Sequence, residues 1–403
     1  MYNSNMQNRS KTYWINLLTL FFKFSFWGLL IALTLFWALR SGWEDFRGYY
    51  SAAMVVVRGG NPYDYSQIAA VLEEVIGSPS NNPYFYPPWF SLLFVPFTLL
   101  SYPAARTLWF IINGALFYVS LELLYKGMQW QLASWKRWAL YALSILAFAS
   151  YSQRFGQAGI FVFFGLALAL YAVRREILWL AGLGLIVAVT KPQATLLVVL
   201  ALGIWLLLHQ SKAAVWGVGW GVGLLLLSSL LIPRWWHFEW DGFGQGLSYT
   251  MSGPDQVGSE RVLSTAQDFS RYVLGLPLVY QYVFWVCMGL LSACLVVYTL
   301  RKLPGVLPLV SVSTLFMLAI TPYALQYDYV HLAIPVFWML QQLPRVEVKY
   351  RYGVIGLLLF AFSVYFWQTW SYEGYWQVIA VLLAFVLLLV GMRSTRKMEA
   401  VSD

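Results

Sequence analysis

Residues 14–39, WINLLTLFFKFSFWGLLIALTLFWAL, form an apolar run whose only charge is Lys23. About 20 consecutive apolar residues are enough for a helix to cross the hydrocarbon core of a bilayer. The run is too long for the core of a signal peptide, and no small-residue cleavage site follows it. We therefore predict a retained first transmembrane helix, with Arg9 and Lys11 holding its start in the cytoplasm.

The composition of the whole chain also indicates a membrane protein. Of its 403 residues, 60% are hydrophobic and only 11% are charged, whereas soluble domains average roughly 45–50% apolar and about 25% charged residues. The net charge of +9 fits an excess of Lys and Arg in cytoplasmic loops. The sequence contains neither an arginine-rich tract nor zinc-ligand spacing. We therefore expect membrane lipids as partners and no nucleic acid.

Apolar segments recur along the chain and predict an all-α polytopic membrane protein. They lie at 14–39, 103–125, 138–153, 158–173, 177–190, 193–208, 213–232, 277–300, 305–322, 328–343, 350–370 and 375–392. If the short run 88–101 re-enters rather than crosses, 14 Lys and Arg residues beyond Pro103 lie in cytoplasmic turns and six lie outside. The positive-inside rule then predicts about twelve transmembrane helices with both termini in the cytoplasm. We therefore expect a multi-pass protein of the cell (plasma or inner) membrane.

This topology gives one integral membrane domain, residues 1–403, with two large external loops at 40–102 and 233–276. The first loop has helical character near 48–58 and 64–76, and these helices can lie in the plane of the interface. The sequence Asn61-Pro62-Tyr63-Asp64 separates them as a turn. The chain shows no internal repeat and no soluble appendage.

Polar residues gather at the external ends of the predicted helices. They are Glu44, Asp45, Arg154, Gln157, Lys191, Asp328 and His331. Ionisable residues near a bilayer are rare and usually face the protein interior or a water-filled cavity. Each also has a purely structural explanation, such as a solvated helix end, a snorkelling lysine, a core histidine or a surface ion pair. Their location on one face of the membrane favours a functional site over these separate structural roles.

The residue types in this group indicate one kind of chemistry. A carboxylate can deprotonate a neutral nucleophile while nearby cations and amides hold an anionic leaving group. The chain has only three His, too few for a hydrolytic metal site. Neither a Ser/His/Asp arrangement nor a phosphate-binding glycine loop is visible. We therefore expect no bound metal and no obligatory cofactor.

Several short motifs in this order resemble glycosyltransferase family 87. The first external loop reads EDFRGYYSAA at 44–53, GGNPYD at 59–64 and YFYPP at 84–88. Phe155-Gly156-Gln157, Lys191-Pro192 and Asp328-Tyr329-Val330-His331 follow with similar spacing, so the resemblance covers about residues 40–340. This family consists of GT-C-fold enzymes typified by polyprenol-phosphate-mannose-dependent mannosyltransferases.

The resemblance implies an inverting transfer of mannose, or another hexose or pentose, on the non-cytoplasmic face. The donor would be a polyprenyl-phosphate sugar and the acceptor a hydroxyl of a glycolipid or glycan. Asp45 would be the general base. The donor phosphate would be bound by Lys191, His331 and Arg154, and the substrates would be oriented by Gln157, Tyr49, Tyr50, Tyr86 and Asp328. Family members carry Asn where this chain has Gly159, which leaves the donor sugar open.

Two other functions stay open at this point. A transporter or flippase of lipid-linked sugars would favour charges near the bilayer midplane and detectable repeat symmetry. A polymerase or ligase with a lipid-diphosphate donor would favour an external loop rich in Arg and His, and loop 233–276 contains Arg234, His237, Arg261 and Arg271.

Overall fold

The computed structural model describes residues 2–40, 45–77, 84–236, 269–303, 305–321, 326–371 and 375–392. In these ranges the regular elements are helices, and the only β pairing is an isolated bridge between Val346 and Met392. The all-α class is therefore confirmed for the described chain. Glu44 and most of loop 233–276, with His237 and Arg261, lie outside the described residues, as do the turn 322–325 and the basic C-terminal segment.

The helices follow the predicted apolar segments. They are α1 (Tyr2–Leu39), α2 (Phe46–Val57), α3 (Tyr65–Ile76), α4 (Pro88–Leu93), α5 (Tyr102–Gly127), α6 (Ser134–Ser144), α7 (Ser150–Arg154), α8 (Gly159–Arg175), α9 (Leu178–Ala188), α10 (Pro192–His209), α11 (Ser211–Leu231), α12 (Leu278–Lys302), α13 (Val306–Ile320), α14 (Ala333–Gln342), α15 (Val348–Ser371) and α16 (Tyr375–Gly391). Short 3-10 helices cover Val95–Leu99, Gln326–Leu332 and Leu343–Arg345, and π-helices cover Ile145–Ala149 and Phe269–Val273.

Several of these helices have the length and composition of membrane spans. Within the described ranges, five qualify: the Ser10–Leu39 part of α1, all of α5, α10 and α11, and the Leu278–Thr299 part of α12. Shorter apolar helices lie at Pro88–Leu99, Leu178–Ala188, Val306–Ile320 and Trp376–Gly391. The chain is therefore a membrane protein with several spans, while the count of twelve stays a prediction. The Pro88–Leu99 segment reaches only about 18 Å at 1.5 Å per residue, short of the roughly 30 Å hydrocarbon core.

The two helices expected in the loop 40–102 are α2 and α3, with the predicted turn between them, and the structure adds an N-cap at Asp64. The Asp64 carboxylate accepts hydrogen bonds from the backbone amides of Ser66 at 2.9 Å and Gln67 at 3.2 Å. Such N-caps satisfy amides that have no partner in the first helical turn. On the outer surface, a bidentate ion pair between Arg58 and Glu74 joins α2 to α3.

A cluster of aromatic side chains fastens this loop to the transmembrane bundle. Phe46 and Tyr49 of α2 are buried against Phe90 and Phe94 and against Trp109 of α5. The ring centroids of Phe94 and Trp109 lie 4.8 Å apart at a steep interplanar angle, an edge-to-face arrangement that aromatic pairs prefer. The packing holds the start of α2 against the first turns of α5.

Glycines allow α9 to lie almost in backbone contact with its neighbours. A Cβ atom on Gly184 of α9 would lie 2.6 Å from the Ala169 nitrogen and 2.8 Å from the Gly165 oxygen of α8. On its other side, Gly182 meets Gly217 of α11. Small residues at such crossings drive helix packing in membranes, where burial of apolar surface adds little.

We predict that Gly184→Ala destabilises the protein by about 1–3 kcal/mol, because the new methyl group has no space between two backbones. Gly223→Ala on α11 is the matched control, since nothing lies within 4 Å of a Cβ there. Thermal unfolding in detergent measures both. Equal melting temperatures for the two variants would show that the α8–α9 crossing is not tightly packed.

Candidate active site

A small cavity of about 40 Å³ lies between the first external loop and the 3-10 segment Gln326–Leu332. Its walls are formed by Asp45, Gly48, Tyr49, Tyr84, Phe85, Tyr86, Gln157, Lys191, Gln193 and Tyr327. Five residues that the sequence singled out therefore surround one space: Asp45, Tyr49, Tyr86, Gln157 and Lys191. They come from four distant parts of the chain.

An ion pair between Lys191 and Asp328 forms the deep side of the cavity. Lys191 precedes Pro192, which disfavours a helical conformation for it, so the chain breaks here between α9 and α10. Its Nζ lies 2.6 Å from Asp328 Oδ1, and the two side chains are 1% and 0% exposed. The same Nζ lies 4.2 Å from the ring centroid of Tyr327. The two buried charges stabilise each other, because burying either one without its partner would cost several kcal/mol of free energy.

Gln157 connects this ion pair to the tyrosines that line the cavity. Its Oε1 accepts hydrogen bonds from Lys191 Nζ at 3.3 Å, from the Tyr49 hydroxyl at 3.3 Å and from the Tyr86 hydroxyl at 3.4 Å. The Tyr49 hydroxyl in turn accepts the backbone amide proton of Ala158 at 3.1 Å. A single amide oxygen thus connects a cation with two phenols.

Two residues of α5 that the sequence analysis missed hold the backbone at Gln157. Trp109 Nε1 donates to the Gly156 oxygen at 2.6 Å, and Asn113 Nδ2 donates to the Gln157 oxygen at 3.0 Å. Gly156 has a φ of +58°, a left-handed conformation that glycine adopts at low cost. The signal for Asn113 was an amide in the middle of an apolar helix, where a buried partner is required.

Asp45 reaches the cavity because the same turn also fixes the first loop. The Asp45 backbone amide donates to the Phe155 oxygen at 2.9 Å. Asp45 occupies the N-cap position of α2, yet its carboxylate caps none of the described α2 amides and lines the cavity. The side chain is half-buried.

The two phenols beside Asp45 remain protonated. Burial, and then the negative charge of Asp45, raise the pKa of Tyr49 well above its ordinary value. Burial also raises the pKa of Tyr86 well above its ordinary value. Both side chains therefore act as neutral hydrogen-bonding groups. Of the described residues that line the cavity, Asp45 is the one carboxylate, and it is the group that can accept a proton.

Four of the predicted site residues do not line this cavity: Asp328, which lies behind Lys191 as its ion-pair partner, and Arg154, His331 and Tyr50. The Arg154 guanidinium lies over the ring of Trp37, 5.4 Å from its centroid. His331 is buried, with Nε2 3.2 Å from the Gly159 oxygen, and Tyr50 donates to the Leu100 oxygen at 3.0 Å. The roles assigned to Arg154 and His331 stay predictions, whereas the contact of Tyr50 with Leu100 argues against a substrate-orienting role for its hydroxyl.

Gly159, where the resemblance implies an Asn, is closely packed. A Cβ atom there would lie 2.9 Å from the Tyr327 carbonyl oxygen and 3.3 Å from Ser152 Oγ. An Asn at this position would require the 3-10 segment to move away from the start of α8. The segment with Asp328 can therefore approach Lys191 closely.

Comparison with known proteins gives one match. The family model for glycosyltransferase family 87 matches residues 84–322, more than half of the chain. The match includes Tyr86, Gln157 and Lys191, whereas Asp45 and Asp328 lie outside it. No curated protein and no solved structure matches the chain. In the described residues, no three His, Cys, Asp or Glu side chains come together, and the expectation of a metal-free site stays a prediction.

We predict that Lys191→Met lowers stability by roughly 3–5 kcal/mol, because it leaves Asp328 buried without its cation. The double variant Lys191→Met/Asp328→Leu should recover part of the loss, since it removes both charges. Thermal unfolding in detergent gives the coupling between the two positions, with Arg58→Met as the control for an exposed pair that water screens. Additive losses in the double variant would show that the two side chains do not interact.

Proposed function

Because the chain belongs to glycosyltransferase family 87, we propose that it transfers mannose, or another hexose or pentose, from a polyprenyl-phosphate donor. The acceptor is a hydroxyl group of a glycolipid or glycan on the non-cytoplasmic face of the cell membrane. Glycosyltransferase activity follows from the family, while donor, acceptor and membrane face are the proposal.

The observation that carries the proposal is the presence of Asp45 in the same cavity as Lys191 and Gln157. In the proposed reaction, Asp45 accepts the proton of the acceptor hydroxyl. The acceptor oxygen forms a bond to the anomeric carbon, and the bond from that carbon to the phosphate oxygen breaks. Polyprenyl phosphate leaves with the electron pair. Attack from the side opposite the leaving group inverts the anomeric centre.

Lys191 and Gln157 supply the polar surroundings of the leaving group. A lysine ammonium has three protons to donate, and Asp328 and Gln157 accept two of them. We assign the third to an oxygen of the donor phosphate. Charge-assisted hydrogen bonds of this kind stabilise the negative charge that develops on a leaving group.

Entry of the sugar requires the cavity walls to move. A cavity of about 40 Å³ has room for only a few water molecules, since each needs about 10–15 Å³ of this volume. Tyr84, Phe85 and Tyr86 lie on the loop 40–102, outside the long helices, and form part of the aromatic wall together with Tyr49 and Tyr327. We propose that this segment shifts when substrate binds, as loops that cover active sites commonly do.

We predict that Asp45→Asn lowers the transfer rate by about 10²–10⁴-fold, the usual contribution of a general base. Purified protein is incubated with radiolabelled polyprenyl-phospho-mannose and a crude lipid extract, and labelled product is counted. Glu74→Gln, an exposed carboxylate on the same loop, is the control and should keep the wild-type rate.

Three results would count against the proposed reaction. Unchanged transfer by Asp45→Asn would exclude Asp45 as the base. Wild-type transfer only from a lipid-diphosphate donor would favour the polymerase or ligase reading. Movement of the labelled lipid across a vesicle membrane without any transfer would favour a flippase.

The neighbouring tyrosines Tyr49 and Tyr50 provide a second, finer test. Tyr49→Phe should lower the transfer rate roughly tenfold, as expected for one hydrogen bond worth about 1.4 kcal/mol. Tyr50→Phe should keep the rate, because its hydroxyl is bound to the Leu100 oxygen and does not line the cavity. Initial rates at saturating donor, on variants that remain monodisperse, measure both. An equal loss in the two variants would rule out a specific role for Tyr49.

A further inference from the structure

A second cavity, larger than the first, lies at the opposite end of the helix bundle. Its volume is about 260 Å³. It lies where α5 and α8 end and where α13 begins. Helix α8 runs from Gly159 at the candidate active site to Arg174 at this cavity, about 22 Å at 1.5 Å per residue. The two cavities are therefore separate sites joined by the same helices.

The polar side chains that line this cavity are those of Arg174, Gln341 and Gln342, and none of its lining residues is acidic. Arg174 Nη2 donates to Gln129 Oε1 at 2.8 Å, which fixes its guanidinium at the mouth. Gln342 is nine-tenths buried, and its Oε1 accepts from Arg345. In the described part of the chain, the Gln342 amide nitrogen donates to no acceptor. The Gln342 side chain and an arginine thus border one cavity with hydrogen-bond donors, which suits an anionic ligand.

The first turn of α13 adds to the same polarity. Its N-cap residue is Gly305, which has no side chain to cap the helix, and the cavity is lined by Val306 and Leu307 of the first turn. Amides at a helix start have no intrahelical acceptor and carry partial positive charge. They therefore support anion binding next to Arg174 and Gln342.

The remaining walls of the cavity are apolar. They include Leu124, Leu170 and Trp338. A small soluble anion gains nothing from such walls, whereas a lipid presents a phosphate and hydrocarbon in one molecule. Basic pockets between transmembrane helices on the cytoplasmic side are typical of anionic headgroup binding, and the positive-inside rule puts this end of the bundle in the cytoplasmic leaflet.

We propose that this cavity binds the phosphate group of an anionic membrane lipid. Arg174 and the Gln342 amide donate hydrogen bonds to the phosphate oxygens, and the glycerol and first acyl carbons lie along Leu124 and Leu170. The lipid would bridge α5, α8, α13 and α14 at the end of the bundle that faces away from the candidate active site.

The test uses the full-length protein with phosphatidylglycerol and phosphatidylcholine in equal amounts, and native mass spectrometry counts the retained lipid. Wild type should retain phosphatidylglycerol preferentially. Arg174→Gln should bind it about tenfold more weakly, the effect of losing one charge-assisted hydrogen bond. Arg175→Gln is the matched control, because the adjacent Arg175 lies over the Tyr171 ring and does not line the cavity.

Further arms separate the possible explanations. Gln342→Leu should also weaken retention, and all variants should elute as the wild type does in size-exclusion chromatography. Inorganic phosphate should not displace the lipid. If it does so at equal concentration, the cavity binds free phosphate and the proposal of a membrane lipid as ligand is wrong. Equal loss in Arg174→Gln and Arg175→Gln, or equal retention of both lipids by wild type, would overturn the site.

Discussion

The buried ion pair between Lys191 and Asp328 is the interaction on which the candidate active site depends. Its atoms are 2.6 Å apart and almost fully buried, inside a helix bundle whose outer solvent is lipid. Neither charge is tolerable there without the other. The pair therefore holds the start of α10 against the 3-10 segment Gln326–Leu332, and these two elements close one side of the cavity.

The opposite side is held by backbone geometry rather than by charge. The turn at 155–158 accepts hydrogen bonds from Asp45, Trp109 and Asn113, and its Ala158 amide donates to Tyr49. One turn thus positions the proposed base, the phenol beside it and the Gln157 amide. Such prior positioning matters for catalysis, because groups that are already oriented need not reorganise as charge develops.

The sequence predicted the helices and the convergence of the site, but not how its members pair. Long apolar runs separated by basic turns allow few topologies other than membrane-spanning helices. Polar residues at the ends of such helices require polar surroundings, so they were expected to lie together. Lys191 and Asp328 were expected to contact substrate separately, and their mutual pairing depends on side-chain positions that no local pattern encodes. For the same reason the sequence did not distinguish Tyr49 from Tyr50, find Trp109, or show that Arg174 borders a cavity.

The central claim is that Asp45 removes the proton of the acceptor hydroxyl. The most direct test replaces the acceptor by azide, a nucleophile that has no proton to lose, and uses Asp45→Ala. We expect this variant to fail with hydroxyl acceptors yet still to convert the polyprenyl-phosphate sugar into a glycosyl azide of inverted configuration. Loss of both reactions would contradict the role of Asp45 as a base and indicate a structural or binding role, and retention of both would show that Asp45 is dispensable.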